Sequence, residues 1–262
     1  MTLLGIDWQM AAAVWSRNAI VYRRTWLMNV FPNFFEPLLY LVGMGFGLGA
    51  YVGQDLGGRP YAAWIAPGLM AAAAMNGATF ETTYNVFVKM TFGRLYDAFL
   101  GTPAQIEDIV AGELLWATTR GLLYGGVFMV AVAVAHVAGL RIIESPWAIL
   151  LPVAFTLIGA LFAAIGALFT SVVRSIDAYN WYFTLFLTPL FLFSGIFYPV
   201  DRFAGAEAVA WCTPLFHAVR VCRGLTTGDV GAEVLVSTAW MLVVTAAACA
   251  LIPSRLRLRL SR

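Results

Sequence analysis

Six stretches of the chain are apolar for long enough to cross a bilayer as helices, which predicts spans at about residues 29–51, 61–88, 109–137, 147–173, 181–198 and 230–252. The loops at 52–60 and 138–146 are too short to hold a folded domain, so residues 1–262 read as one unit lying in or against a membrane. The run YNWYFTLFLTPLFLFSGIFYPVD at 179–201 is apolar and of bilayer length, yet it carries Pro189 and the pair Ser194-Gly195. Such breaks free backbone groups that lipid cannot satisfy. Residues 201–229 then mix short apolar patches with Arg202, Arg220, Arg223 and Pro/Gly breaks. Too short and too polar to cross again, they predict an exterior re-entrant segment before the last span. The expected fold class is all-α, a polytopic membrane protein with six transmembrane helices.

Two segments outside the spans carry pattern. Trp8, Ala12, Trp15, Ala19, Tyr22 and Trp26 recur at helical spacing, with Arg17 and Arg24 on the other side. This predicts an interfacial helix within residues 1–28, with a simple extension of the first span as the alternative. Between the second and third spans, TFGRLYDAFLGTP at 91–103 is charged, aromatic and bounded by glycines. Residues 91–101 are either an ordinary loop or a docking element for a cytoplasmic partner. Thr102-Pro103-Ala104-Gln105 predicts the start of the third helix as a capping box with proline at its first position, and Glu107 and Asp108 fall in the first turn. In the fourth span Gly159, Ala163 and Gly166 share a face, which favours close helix packing. No longer internal repeat is visible, which argues against carriers built from inverted repeats.

Composition agrees with the pattern: 61% of residues are hydrophobic, 11% are charged and the mean hydropathy is +0.81. Soluble domains carry about a quarter charged residues. The net charge of +2 is small and dispersed, so nucleic acid is not an expected partner. Lys89 is the one lysine and no GxxxxGK[ST] occurs, so the chain has no phosphate-binding loop of its own. Cys212, Cys222, Cys249, His136 and His217 match no metal-ligand spacing, and no cofactor or metal is expected in the chain. Cys212 and Cys222 either pair in an oxidising compartment or are two small apolar residues in a packed hairpin. The N-terminus lacks the pattern of a cleaved signal peptide, so the first helix is expected to insert uncleaved. Placing the N-terminus in the cytoplasm puts Arg17, Arg23, Arg24, Lys89, Arg94, Arg174, Arg255, Arg257, Arg259 and Arg262 inside, against Arg59, Arg141, Arg202, Arg220 and Arg223 outside. That bias predicts both termini in the cytoplasm.

Glu36, Glu81, Glu113 and Arg120 fall within or near the apolar spans. A charge at the bilayer centre costs roughly 2.5 to 3.5 kcal/mol even on the lenient scale, so each needs a partner or water. Glu113 and Arg120 lie on one helical face two turns apart, and each is expected to pair with a neighbouring helix. These charges form either a structural lock or part of a gate, with a proton relay the weaker option. An intramembrane serine protease using Ser194 and His217 is a rival reading, but FSGI lacks the expected nucleophile turn.

The surface helix, six spans, amphipathic segment after the second span and LTPLFLFSGIFYPVDRF at 187–203 together resemble the membrane subunits of type-2 ABC exporters. NFFEPLLYLVGMGFGLG at 33–49 resembles in particular the nodulation protein J branch of that family, associated with lipo-oligosaccharide export. The resemblance covers essentially the whole chain. It implies a bacterial inner-membrane homodimer bound to two copies of a separate ABC ATPase, which supplies ATP, Mg2+ and the phosphoryl-transfer chemistry. It implies that residues 91–101 form the coupling segment, with Phe92, Arg94, Tyr96, Asp97 and Phe99 as contacts, and that residues 201–223 of the re-entrant segment close the outer mouth. Helices one, two and five would border the translocation route. Trp181, Phe183, Phe186, Phe191, Phe193 and Phe197 on the fifth are then candidates to line it, or are ordinary packing aromatics. A glycolipid or lipo-oligosaccharide is the expected cargo and a hydrophobic drug the alternative; an ion-coupled carrier remains a further one.

Overall fold

The computed structural model describes residues 2–3, 5–52, 59–140, 142–200 and 205–260. Asp201 and Arg202 at the head of the predicted re-entrant segment, and Arg141 and Arg262 in the charge count, lie outside them. A two-stranded hairpin, β1 (Thr2–Leu3) and β2 (Ile6–Asp7), precedes the helices. Asp7 accepts the Gln9 N–H at the start of α1 (Trp8–Val42), and its own N–H donates to Asp108 at 2.6 Å.

The boundary predicted near residue 28 is absent. α1 runs unbroken, then continues through a π-helical turn, Gly43–Leu48, into α2 (Gly49–Val52). No glycine interrupts α1, and Pro32 and Pro37 are accommodated within it. Its first half lies along the helix at Ile106–Ala135, where Trp15 and Tyr22 meet Trp116 edge-on at 6.2 and 5.3 Å.

α3 (Tyr61–Phe80) has no polar face and is buried nearly all round, as befits a helix at the centre of a bundle. Two π-helical stretches, Glu81–Asn85 and Val88–Phe92, carry the same helix beyond its predicted end. The chain then turns at Gly93 and at Arg94, whose φ of 44° is the left-handed region a non-glycine residue rarely adopts. α4 (Leu95–Leu100) follows.

The third long helix, α5 (Ile106–Ala135), begins later than expected. Its N-cap is Gln105, whose N–H donates to Asp108 in a capping box. Thr102 is already committed to closing the preceding turn: its hydroxyl donates to the Phe99 carbonyl and accepts the Ala104 N–H. α6 (Leu151–Val172) is entered through a 3-10 turn, Pro146–Leu150. It crosses α5 where Gly121 meets Gly159: a Cβ on Gly121 would stand 2.7 Å from the Gly159 Cα. The small-residue face predicted in this span thus packs as expected.

α7 (Ala178–Trp181), a π-helical turn at Tyr182–Leu187 and α8 (Thr188–Phe193) form one helical run over 178–193. At 1.5 Å per residue it is about 24 Å long, short of a hydrocarbon core of about 30 Å. It stops at buried Ser194 and at Gly195, whose φ is +77°. The described chain resumes with α9 (Ala206–Trp211) and α10 (Pro214–Thr227), neither long enough to cross, and closes with α11 (Ala232–Leu260). Cys222 is buried in α10 and Cys212 is exposed; both are free thiols.

α3 packs against α1, α5, α6 and α10, and α11 packs on α6. Among the described residues, three helical stretches, Ile106–Leu140, Pro146–Val172 and Ala232–Arg257, are long and apolar enough to cross a membrane. Large apolar side chains such as Leu27, Met28, Val134, Ile149, Leu235 and Val243 stay exposed, which suits lipid as the surrounding solvent.

Candidate functional site

A groove of about 220 Å³ opens between α1, α3 and the 178–193 helix. Tyr40, Leu69, Met75, Phe80, Phe183 and Phe191 give it apolar and aromatic walls, and Glu36, Asn76 and Thr188 add a carboxylate, an amide and a hydroxyl. The aromatic walls are laced together. Phe183 stacks on Phe80 at 4.9 Å and on Tyr84 at 5.4 Å, while Tyr40 meets Phe191 and Phe197 at 5.6 and 6.0 Å. The π-helical turn in the 178–193 helix aims Phe183 at α3. There Thr188 donates both its N–H and its hydroxyl to the Phe183 carbonyl.

Toward the α4 end lies a buried ionic cluster. Lys89 Nζ is 2.7 Å from Glu81 Oε1 and 2.6 Å from Glu113 Oε2, and Arg120 Nη1 is 2.6 Å from Glu81 Oε2. Asn18 Nδ2 donates to Glu113 at 3.0 Å and Asn85 Nδ2 to Glu81 at 2.7 Å. Arg120 also donates to the Tyr124 hydroxyl, which donates in turn to the Asn29 carbonyl, and the guanidinium stands 5.2 Å over the Tyr22 ring. Two carboxylates meet two cations, and the cluster ties α1, the α3 extension and α5 into one block.

Lys89 lies in the last helical turns before α4. There Tyr96 is buried among Val86, Met90, Ile109, Val110, Ile252 and Leu256, and Phe99 packs against the same group. Phe92, Arg94 and Asp97 are exposed.

The sequence profile of the ABC-2 type transporter matches residues 10–226. The chain belongs to that family. It is 37% identical to nodulation protein J of Rhizobium leguminosarum bv. trifolii over 218 residues, covering 82% of this chain and 80% of that one. Identity to nodulation protein J of Rhizobium meliloti (strain 1021) is 36% over 219 residues, 83% and 81% of the two chains. The inner membrane transport permease YadH of Escherichia coli (strain K12) is 24% identical over 196 residues, 75% and 74% of the two. No solved structure matches. The protein is therefore a membrane-embedded ABC-2 permease of the nodulation protein J branch, a transport subunit.

Within this ABC-2 permease the structure sorts the residues singled out from sequence. Glu81, Glu113 and Arg120 come together, each bound across helices as the seven-residue spacing of the last two implied. Glu36 does not join them: it is exposed in the groove. Phe183 and Phe191 line the groove and Phe197 meets Phe191 edge-on behind it, whereas Phe186 packs back on Tyr182, and Trp181 and Phe193 are exposed. Of the coupling candidates, Tyr96 is buried and Phe99 half-buried in the apolar cluster that seats α4 on the bundle.

Lys89, Asn18 and Asn85 in the cluster, and Tyr40, Asn76 and Thr188 in the groove, escaped the sequence reading. For the first set a signal existed, since Glu81, Asn85 and Lys89 recur every four residues and so share a helical face. Ser194 and His217 form no catalytic pair. The Ser194 hydroxyl donates to the Phe191 carbonyl, while His217 Nε2 donates to the Trp211 carbonyl and Nδ1 accepts from Ser237.

Proposed function

We propose that this permease is the membrane half of an ATP-driven exporter that moves a lipid-linked, sugar-bearing amphiphile from the cytoplasmic side of a bacterial inner membrane. The groove between α1, α3 and the 178–193 helix carries the reading. Its aromatic rings suit sugar faces and acyl chains, and Glu36, Asn76 and Thr188 suit sugar hydroxyls. The similarity to nodulation protein J supports the same cargo class. With no phosphate-binding loop in the sequence, a separate ABC ATPase provides the energy.

In this reading α1, α3, α5, α6 and α11 cross the membrane, the shorter 178–193 run crosses together with the residues that follow it, both termini are cytoplasmic, and residues 201–229 dip back at the outer face. Two copies face each other through α1 and the 178–193 helix, whose Leu39, Trp181, Leu185 and Phe193 are exposed. Two ATPase copies dock on the exposed Phe92, Arg94 and Asp97. Motion of α4 reaches the groove through the α3 extension, because Lys89 is clamped to α1 and α5 by the ionic cluster.

A second reading has its own observation: a carboxylate, Glu36, exposed in an aromatic groove also suits a cationic drug. The test is reconstitution with the co-purifying ATPase in proteoliposomes, measuring ATP hydrolysis and transbilayer movement with a lipo-oligosaccharide and with a cationic amphiphilic drug. Stimulation by the glycolipid, retained in Glu36→Gln and lost in Phe183→Ala, supports the proposal. Stimulation by the drug alone, abolished in Glu36→Gln, overturns it in favour of drug export. Disulfide cross-linking of cysteines placed at the exposed Leu39 and Leu185 tests the dimer, and a fully active monomer would exclude it.

A further inference from the structure

At the end of the molecule opposite α4, a cavity of about 430 Å³ lies between the start of α3, the break after α8, α10 and the start of α11. Among the described residues, three hydrogen-bond donors on its lining side chains are covered from bulk solvent and have no partner: Trp64 Nε1, Arg220 Nη1 and Arg223 Nε. Arg223 is the unusual one. Its guanidinium lies flat on the Trp64 indole, 3.8 Å from the ring centroid, and donates from Nη2 to the carbonyls of Gly195 at 2.8 Å and Trp64 at 3.3 Å. No carboxylate is paired with it among the described residues.

A guanidinium drawn into a bundle normally acquires a counter-charge, because an unpaired one forfeits its hydration without recompense. The neighbouring Arg220 is already matched, 2.6 Å from Glu233. The other lining acids are Glu207 and Asp229, both exposed at the rim, with Asp229 accepting from the Thr227 hydroxyl. The cavity therefore has a cationic, donor-rich floor beneath an acidic mouth.

We propose that this cavity binds a phosphodiester of a lipid headgroup, its anionic oxygens taking the free donors of Arg223 and Trp64. A single negative charge fits the arrangement better than a phosphate dianion, since the rim acids repel excess charge, while the rest of a headgroup extends past them with hydroxyl or ammonium groups they can accept from. The inference does not depend on the identity of the exported cargo. It gives the segment after α8 a ligand that would hold α10 against α3 through Arg223.

The experiment uses the full chain purified in a non-ionic detergent, with the unfolding midpoint measured against added short-chain phosphatidylglycerol, soluble glycerophosphoglycerol, inorganic phosphate and sodium chloride. Phosphatidylglycerol should raise the midpoint in a saturable way beyond the salt control. Arg223→Gln should abolish the effect, and Trp64→Phe, which keeps the packing and removes one donor, should weaken apparent affinity by about tenfold, the scale of one charge-assisted hydrogen bond. Equal action of glycerophosphoglycerol would support the headgroup itself as ligand. Action of inorganic phosphate alone would overturn the phosphodiester in favour of a free anion. No stabilisation by any probe, or stabilisation unchanged in both variants, would overturn the site. If Arg223→Gln does not fold, Trp64→Phe alone decides.

Discussion

Replacing Lys89 by Met keeps most of the side-chain volume and removes one cation from the ionic cluster. The cluster then holds Glu81, Glu113 and Arg120, a net charge of −1 in place of zero. Glu81 keeps Arg120 at 2.6 Å, but among the described residues Glu113 is left with only the Asn18 amide at 3.0 Å. Breaking a buried pair from one side costs about 3 to 5 kcal/mol. The Lys89 side chain is 14% exposed and that of Glu113 5%, so some water reaches the site and the lower end, about 3 kcal/mol, is expected. Lys89→Met with Glu113→Gln removes both charges of that pair and leaves Glu81–Arg120 intact, so it should recover about 2 kcal/mol of the loss. Glu113→Gln alone should cost less than Lys89→Met, because Lys89 still has Glu81. Unfolding by sodium dodecyl sulfate in mixed micelles, followed by tryptophan fluorescence, measures all three variants on one scale. A double variant as unstable as Lys89→Met, or a Lys89→Met protein as stable as the parent, would refute the view that these charges lock the helices.

The other expectations are separable from that one. Phe92→Ala with Arg94→Gly removes two exposed side chains just before α4 while easing the left-handed backbone at Arg94, so stability should change by no more than about 0.5 kcal/mol. Substrate-stimulated ATP hydrolysis should fall severalfold, and parental coupling would mean that the turn touches no ATPase. Tyr96→Ala, by contrast, empties a buried position and should cost about 3 kcal/mol in the same unfolding assay, with a negligible loss telling against its role as anchor. Gly121→Leu must push α5 away from both α6 and the Ala74 carbonyl of α3 and should abolish stable expression. Gly126→Leu, where a Cβ meets open space, should be tolerated. Equal expression of the two would show that the close crossing is dispensable.

Much of this protein was legible in one dimension because a bilayer imposes a simple rule: a stretch that spans it must be long, apolar and self-satisfied in its hydrogen bonds. The all-helical architecture, the break at Ser194-Gly195 and the small-residue face at Gly159 were readable from the chain alone, and the last two appear where the pattern placed them. The missing phosphate-binding loop is likewise a statement about residues alone. Helix starts were less secure. Thr102 and Gln105 are both competent to begin α5, and the choice depends on Thr102 being used by the Phe99 carbonyl to close the turn after α4.

Tertiary structure decided which charges meet. From sequence, Glu36 and Glu81 both fall within or near apolar spans, and Lys89 lies just past the predicted end of the second span. Only the antiparallel packing of α3 on α5, with the first half of α1 beside them, puts Lys89 between Glu81 and Glu113 and leaves Glu36 in the groove. The same holds for aromatics, where neighbouring phenylalanines on the 178–193 helix divide between groove, core and outer face according to a π-helical turn that shifts the register. At the far end of the bundle, Trp64 and Arg223 are 159 residues apart in the chain, and only the return of α10 against α3 lays one on the other. Periodicity reports which face of a helix is apolar, but the partner of a buried polar group is fixed by the neighbouring helix, and that is a property of the packed bundle.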